Sequence, residues 1–153
     1  MPLTPSLAGQ HSFYAITQLF LFREGRRSNE AMTAMAKGMS DADLRAFSEL
    51  IAKLPPPAGS DIAKLDAPRM ANGATLAKQH RCASCHGADF SGDKQVARIA
   101  NQREDYLLLT LGEFKSGKRL GYTAAMNETL ADIAPQELAD LAYFLANIVK
   151  TPP

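Results

Sequence analysis

Cys82-Ala83-Ser84-Cys85-His86-Gly87-Ala88 is the stretch on which the reading of this chain turns. Two cysteines separated by two residues can each form a thioether to one vinyl group of the same haem, and the histidine that follows is placed to ligate the iron from one face. At average residue usage the five-residue pattern Cys82 to His86 arises by chance in 153 residues roughly once in a thousand. Both cysteines of the chain lie inside it. Two other chemistries use paired cysteines. A dithiol redox pair usually sits between a strand and a helix of an α/β fold, a pattern not seen here. A tetrahedral zinc site needs four ligands, and there is no second cysteine pair. Covalent haem is the favoured reading of the three.

A haem iron held by His86 has a sixth position to fill. Met126 is the only methionine downstream of His86, and it falls between two expected helices, where the chain could wrap over the other haem face. A thioether ligand is soft and raises the potential. The competing reading is that Met126 fills core space, as methionine often does. Met70 precedes the motif inside an expected helix and is a poor rival. His80 and His11 could give a bis-histidine site, but both read as polar surface.

Moving outward, the composition is that of a globular protein, with 46% apolar and 22% charged residues. Seventeen basic side chains face 16 acidic ones, for a formal charge of +1. That balance offers no concentrated basic surface for nucleic acid. The densest apolar run, residues 13–22, is interrupted by Thr17 and Gln18 and is far short of the roughly 20 residues a membrane span requires. It also lacks a preceding cationic segment, so it does not read as an export signal. The expectation is a chain that does not span the membrane.

The clearest linker is Pro55-Pro56-Pro57-Ala58-Gly59-Ser60, and similar patterns lie on either side of it. Leu7-Ala8-Gly9-Gln10, Tyr14, Leu19, Phe22-Arg23, Gly25-Arg26-Arg27 and Met35 are answered by Ile99-Ala100-Asn101-Gln102, Tyr106, Leu111, Phe114-Lys115, Gly117-Lys118-Arg119 and Met126. The offset is 92 residues at the glutamines (102 minus 10) and 91 at the methionines (126 minus 35). Agreement in residue type and spacing indicates an internal duplication.

Helices are expected over about 12–24, from Ser40 to before Pro55, from Asp66 to about 79, over 104–116, and from Pro135. The last carries Leu138, Leu141, Ala142, Leu145, Ile148 and Val149 on one stripe. No convincing strand pattern appears, so the class is all-α. Residues 1–54 read as an incomplete half without the cysteine motif, 55–66 as linker, and 67–153 as the haem-binding domain. A helical unit of about 60 residues that lacks a helix and a cofactor is short of core. The favoured expectation is that the sequence is a fragment of a longer chain. The alternative is a half that has lost its haem and survives by packing on the other half or on another copy.

The second half resembles a class I bacterial c-type cytochrome, and the duplication resembles the two-domain, dihaem members found in the periplasm. The residues that carry the likeness are Cys82 to Ala88, Ile99-Ala100-Asn101-Gln102 with Tyr106-Leu107, Phe114 to Arg119, Met126, and Leu141-Ala142-Tyr143-Phe144-Leu145. The likeness covers nearly the entire chain. It implies a cytochrome c-like helical bundle around one haem, preceded by an incomplete second copy. It also implies that Gly73 and Tyr143 meet where the first and last helices of the haem domain cross. Ala97 stands where the family usually has proline, and its carbonyl is implied to accept the Nδ1 hydrogen of His86, from a less rigid loop. Asn101 replaces the usual glycine, and asparagine tolerates left-handed backbone. Ala97, Ile99 and Tyr106 thus join Cys82, Cys85, His86 and Met126 as implied cofactor-binding residues, with His86 and Met126 the iron ligands. Met35 aligns with Met126 and is read as core packing.

The implied function is a periplasmic one-electron carrier, not an enzyme. It would hold one covalent haem c with His/Met ligation and serve a redox donor and acceptor. Lys78, Arg81, Lys94, Arg98 and Lys118 either orient such a partner or form a solvated face. Two alternatives remain: a cytochrome subunit of a periplasmic dehydrogenase or oxidase complex, and a peroxidase-type enzyme with five-coordinate haem. The incomplete first half would offer an apolar face for a homodimer or a docking partner.

Overall fold

In the computed structural model, which describes residues 1–120 and 123–149, the regular structure is helical: α1 (Ser12–Arg23), α2 (Glu30–Ala36), α3 (Asp41–Lys53), α4 (Ala67–Gln79), α5 (Ala83–His86), α6 (Glu104–Lys115), α7 (Ala125–Ala131) and α8 (Pro135–Ala146). A 3-10 turn, Ile62–Lys64, lies between α3 and α4. Among the described residues β pairing is limited to two isolated bridges, Ser60 with Val149 and Asp93 with Val96.

Local signals set the helix ends. Ser40 caps α3 in a reciprocal arrangement, its hydroxyl accepting from the Asp43 amide while the Asp43 carboxylate accepts from the Ser40 amide. The same hydrogen bonds hold the Asp43 carboxyl below its ordinary pKa. Asp66 accepts from the Arg69 amide at the start of α4, and a proline lies in the first turn. Pro135 opens α8, with Glu137 accepting from the Ala134 amide.

The chain divides into two compact units. The first comprises Met1–Ser6, Pro57–Ser91 and Ile99–Pro153; the second comprises Leu7–Pro56 and Gly92–Arg98. In the first unit α8 packs on α4 and α6, and α7 packs on α6. Their shared core is built from Leu76, Phe90, Leu107, Leu111, Phe114, Leu130, Ile133, Leu138, Leu141 and Leu145. Arg69 ties three of these helices together. Its guanidinium lies 4.0 Å over the Tyr143 ring, with Nε 3.2 Å from Asp140 and Nη2 3.1 Å from Glu104. In the second unit α1 packs on α2 and α3, burying Ala15, Leu19, Phe22, Ala36 and Leu44.

Several expectations are corrected. The stripe of α8 stops at Ala146, so Ile148 and Val149 lie beyond the helix. Asn147 ends it: its side-chain amide donates to the Tyr143 carbonyl, taking the acceptor that a continuing backbone would use. Gly73 does meet α8, but at Asp140 and Phe144, where a Cβ would collide with the Asp140 carbonyl and the Phe144 Cβ. Tyr143 instead uses its hydroxyl oxygen to accept from the Asp66 amide at 2.9 Å. Met35 is not core: it is 64% exposed, because the short α2 turns its neighbour Ala36 inward.

Candidate cofactor site

Cys82 has helical backbone angles and precedes α5, so Cys82, Cys85 and His86 stand at positions i, i+3 and i+4 of one helical turn. The amides of Cys85 and His86 both donate to the Cys82 carbonyl, at 3.3 and 3.0 Å. Residues three and four apart are neighbours on a helix surface, so Cys85 and His86 each neighbour Cys82. Gly87 ends the turn at φ 85°, a backbone conformation that glycine adopts without penalty.

The three side chains differ in burial. His86 is only 8% exposed and is one of the few buried polar residues. Cys82 is half-buried against the core, and Cys85 is exposed. Burial raises the Cys82 thiol pKa, the reverse of the depressed value that activates a dithiol redox cysteine. Among the described residues no three His, Cys, Asp or Glu side chains come together as a metal site.

The remaining candidates scatter more widely. Ile99 and Met126 pack against the same core as Cys82. Met126 was expected in a connection between helices; it lies in the first turn of α7, a helix too short and weakly patterned to be read from sequence. Tyr106 lies in the first turn of α6, half-buried, and Ala97 is half-buried in the second unit. Asn101 takes φ 55°, the left-handed conformation anticipated for it, and donates its amide to the Leu145 carbonyl. His11 and His80 are half-buried.

Sequence reading missed Asn127. Its Nδ2 donates to the Phe114 and Arg119 carbonyls, each at 2.8 Å, which pins the start of α7 beside Met126. Lys115 pins the other end, donating to the Ala131 carbonyl at 2.6 Å. No sequence signal separates these two from ordinary surface residues, because their partners are backbone carbonyls brought close only by folding.

The residues fit a haem. The donor set is an imidazole and two thiols within one helical turn, as thioether attachment and iron ligation require. Asn101 Oδ1 is buried without a hydrogen-bond partner, an acceptor left open to a donor.

Comparison with known proteins agrees with this chemistry. The family described as Cytochrome c matches residues 70–148. A cytochrome c4 of Thiocapsa roseopersicina is 30% identical over 155 residues, spanning 97% of this chain and 80% of that protein. A thiosulfate dehydrogenase electron acceptor of Stutzerimonas stutzeri is 28% identical over 152 residues, spanning 94% of this chain and 70% of that protein. The structure of cytochrome c4 from Acidithiobacillus ferrooxidans superposes with a TM-score of 0.83 at 25% identity, covering 95% of this chain and 89% of that one. The buried histidine in one helical turn with two thiols, the all-α core and these likenesses converge: the chain belongs to the cytochrome c family, whose members carry covalent c-type haem, and it is an electron carrier.

Proposed function

We propose that this protein is a periplasmic one-electron carrier with a single haem c, bonded to Cys82 and Cys85 and held between His86 and Met126. The helical turn Cys82 to His86 carries the proposal, because it gathers two sulfurs and one imidazole within a single turn. When bound, haem supplies an iron couple that gains or loses one electron. His86 is buried, so its imidazole would bind the iron shielded from water. Met126 would supply a soft thioether to the iron, which would favour its reduced state. Asn127 and Lys115 hold α7 in place for that role. A haem ligated by both His86 and Met126 would leave no open site for substrate, and the protein would act through redox partners.

In this reading residues 67–153 form the haem domain and residues 1–54 an incomplete copy without a haem. Intact mass after expression with cytochrome maturation machinery tests the count, with one haem expected; none, or two, would overturn it. The reduced minus oxidised spectrum should be low-spin, with a weak methionine-to-iron band that Met126→Ala abolishes.

A second reading is favoured by the likeness to a thiosulfate dehydrogenase electron acceptor. Here the chain takes electrons from a dehydrogenase through the second unit, where Phe13, Phe47, Leu50 and Leu54 are exposed. Size-exclusion decides for the free chain: a monomer at high concentration argues against homodimer formation through that face.

A further inference from the structure

The duplication pairs Gln10 with Gln102 and Ser6 with Arg98, each at an offset of 92 residues (102 minus 10, 98 minus 6). Each glutamine grips the backbone of the residue equivalent to its partner's. In the first unit Gln102 Oε1 accepts from the Ser6 amide at 2.7 Å, while Nε2 donates to the Ser6 carbonyl at 2.8 Å. In the second unit Gln10 Oε1 accepts from the Arg98 amide at 2.9 Å, while Nε2 donates to the Arg98 carbonyl at 2.7 Å. Both glutamines are buried, at 8% and 6% exposure. A buried amide with donor and acceptor both satisfied holds the two peptide groups that flank one residue.

The two clasps hold segments of different consequence. Arg98 continues directly into Ile99, whose amide donates to the Phe90 carbonyl at 3.0 Å. The Ala100 amide donates to the same carbonyl, and the Phe90 amide returns to the Gly87 carbonyl at 3.0 Å. Gly87 follows His86. The segment before Arg98 is already tight: Asp93 and Val96 exchange amide hydrogen bonds at 3.1 and 2.6 Å, and a Cβ on Gly92 would strike the Val96 carbonyl. Gln10 closes the free end of this short loop. Ser6, by contrast, leads to no ligand motif.

Resting on the haem reading above, we infer that Gln10 is a positioning residue for the iron site: it fixes the Arg98 peptide, and through Ile99, Phe90 and Gly87 it sets the orientation of His86. Partners beyond the first ring of ligands hold a ligating histidine's orientation and tune its metal.

Gln10→Ala and Gln102→Ala are compared in the holoprotein by redox titration and thermal unfolding. Gln10→Ala loses two hydrogen bonds and Gln102→Ala three, the third from the Arg103 amide at 2.9 Å, so the unfolding midpoint should fall at least as far in Gln102→Ala. The redox equilibrium constant should move about three- to tenfold in Gln10→Ala, tenfold being 59 mV for one electron. In Gln102→Ala it should move less than about twofold, a twofold change being well under 59 mV. An unchanged potential in Gln10→Ala, or equal shifts in both variants, overturns the assignment. Should Gln10→Ala fail to fold, Gln10→Glu keeps the acceptor for the Arg98 amide and loses the donor, and its potential is read instead. Absence of haem from the wild-type chain counts against the haem reading itself, and is detected beforehand by mass.

Discussion

Helices α3 and α8 carry similar amphipathic patterns, and a shift of 94 residues (138 minus 44) aligns Leu44 with Leu138, Phe47 with Leu141, Ser48 with Ala142 and Leu50 with Phe144. On α8, Leu138, Leu141, Ala142 and Leu145 are all buried. On α3 only Leu44 and Ser48 are, while Phe47 and Leu50 are 47% and 56% exposed. The difference is α4. In the first unit α4 lies across α8, with Gly73 allowing the backbones to approach, and the second unit has no helix in that role. A hydrophobic stripe states which face is able to bury; whether it does depends on a partner elsewhere in the chain.

The comparison breaks most completely at the motif that only the second half has. Cys82→Ala with Cys85→Ala should abolish covalent haem, leaving pyridine haemochrome analysis of the denatured, washed protein negative. The paired helices come next. Leu141→Ala should cost about 2–5 kcal/mol in denaturant unfolding, because Leu141 is 1% exposed. Phe47→Ala, at the matching place on α3, should stay within about 0.5 kcal/mol of wild type. A large loss for Phe47→Ala would mean that its face is covered in solution. Gly73→Ala should destabilise the first unit by about 1–3 kcal/mol through collision with Asp140 and Phe144. Tyr143→Phe removes the acceptor for the Asp66 amide and should cost about 0.5–1.5 kcal/mol.

The smallest effect concerns Asp105. Hydrogen bonds from Arg103 first, then from the Leu3 amide, lower its carboxyl pKa to about 2. A carboxyl held below its ordinary value stabilises the fold at pH above the unfolded pKa, near 3.9. That contribution fades as pH falls toward about 2. Unfolding midpoints of wild type and Asp105→Asn should therefore converge on acidification between those limits. A gap that persists at pH 2 contradicts it.

Much of this was legible in advance, for reasons that differ by residue. The caps at Ser40 and Asp66 and the proline opening α8 act within one turn of their own position, so the helix starts could be read directly. Helices α2, α5 and α7 have seven residues or fewer, less than the two turns over which a stripe becomes visible, and α7 hid the true setting of Met126. Asn127, Gln10 and Gln102 were equally silent, because each acts on backbone groups far from it in sequence.

The sequence by itself determined the chemistry and the class: the spacing of Cys82, Cys85 and His86 is a property of consecutive residues, and helical periodicity is local. Only the tertiary structure decided which stripe is covered, where Met126 lies, which residue of α8 meets Gly73, and which peptides the buried glutamines hold. Burial and long-range hydrogen bonding depend on what the rest of the chain brings near, and no local pattern encodes that.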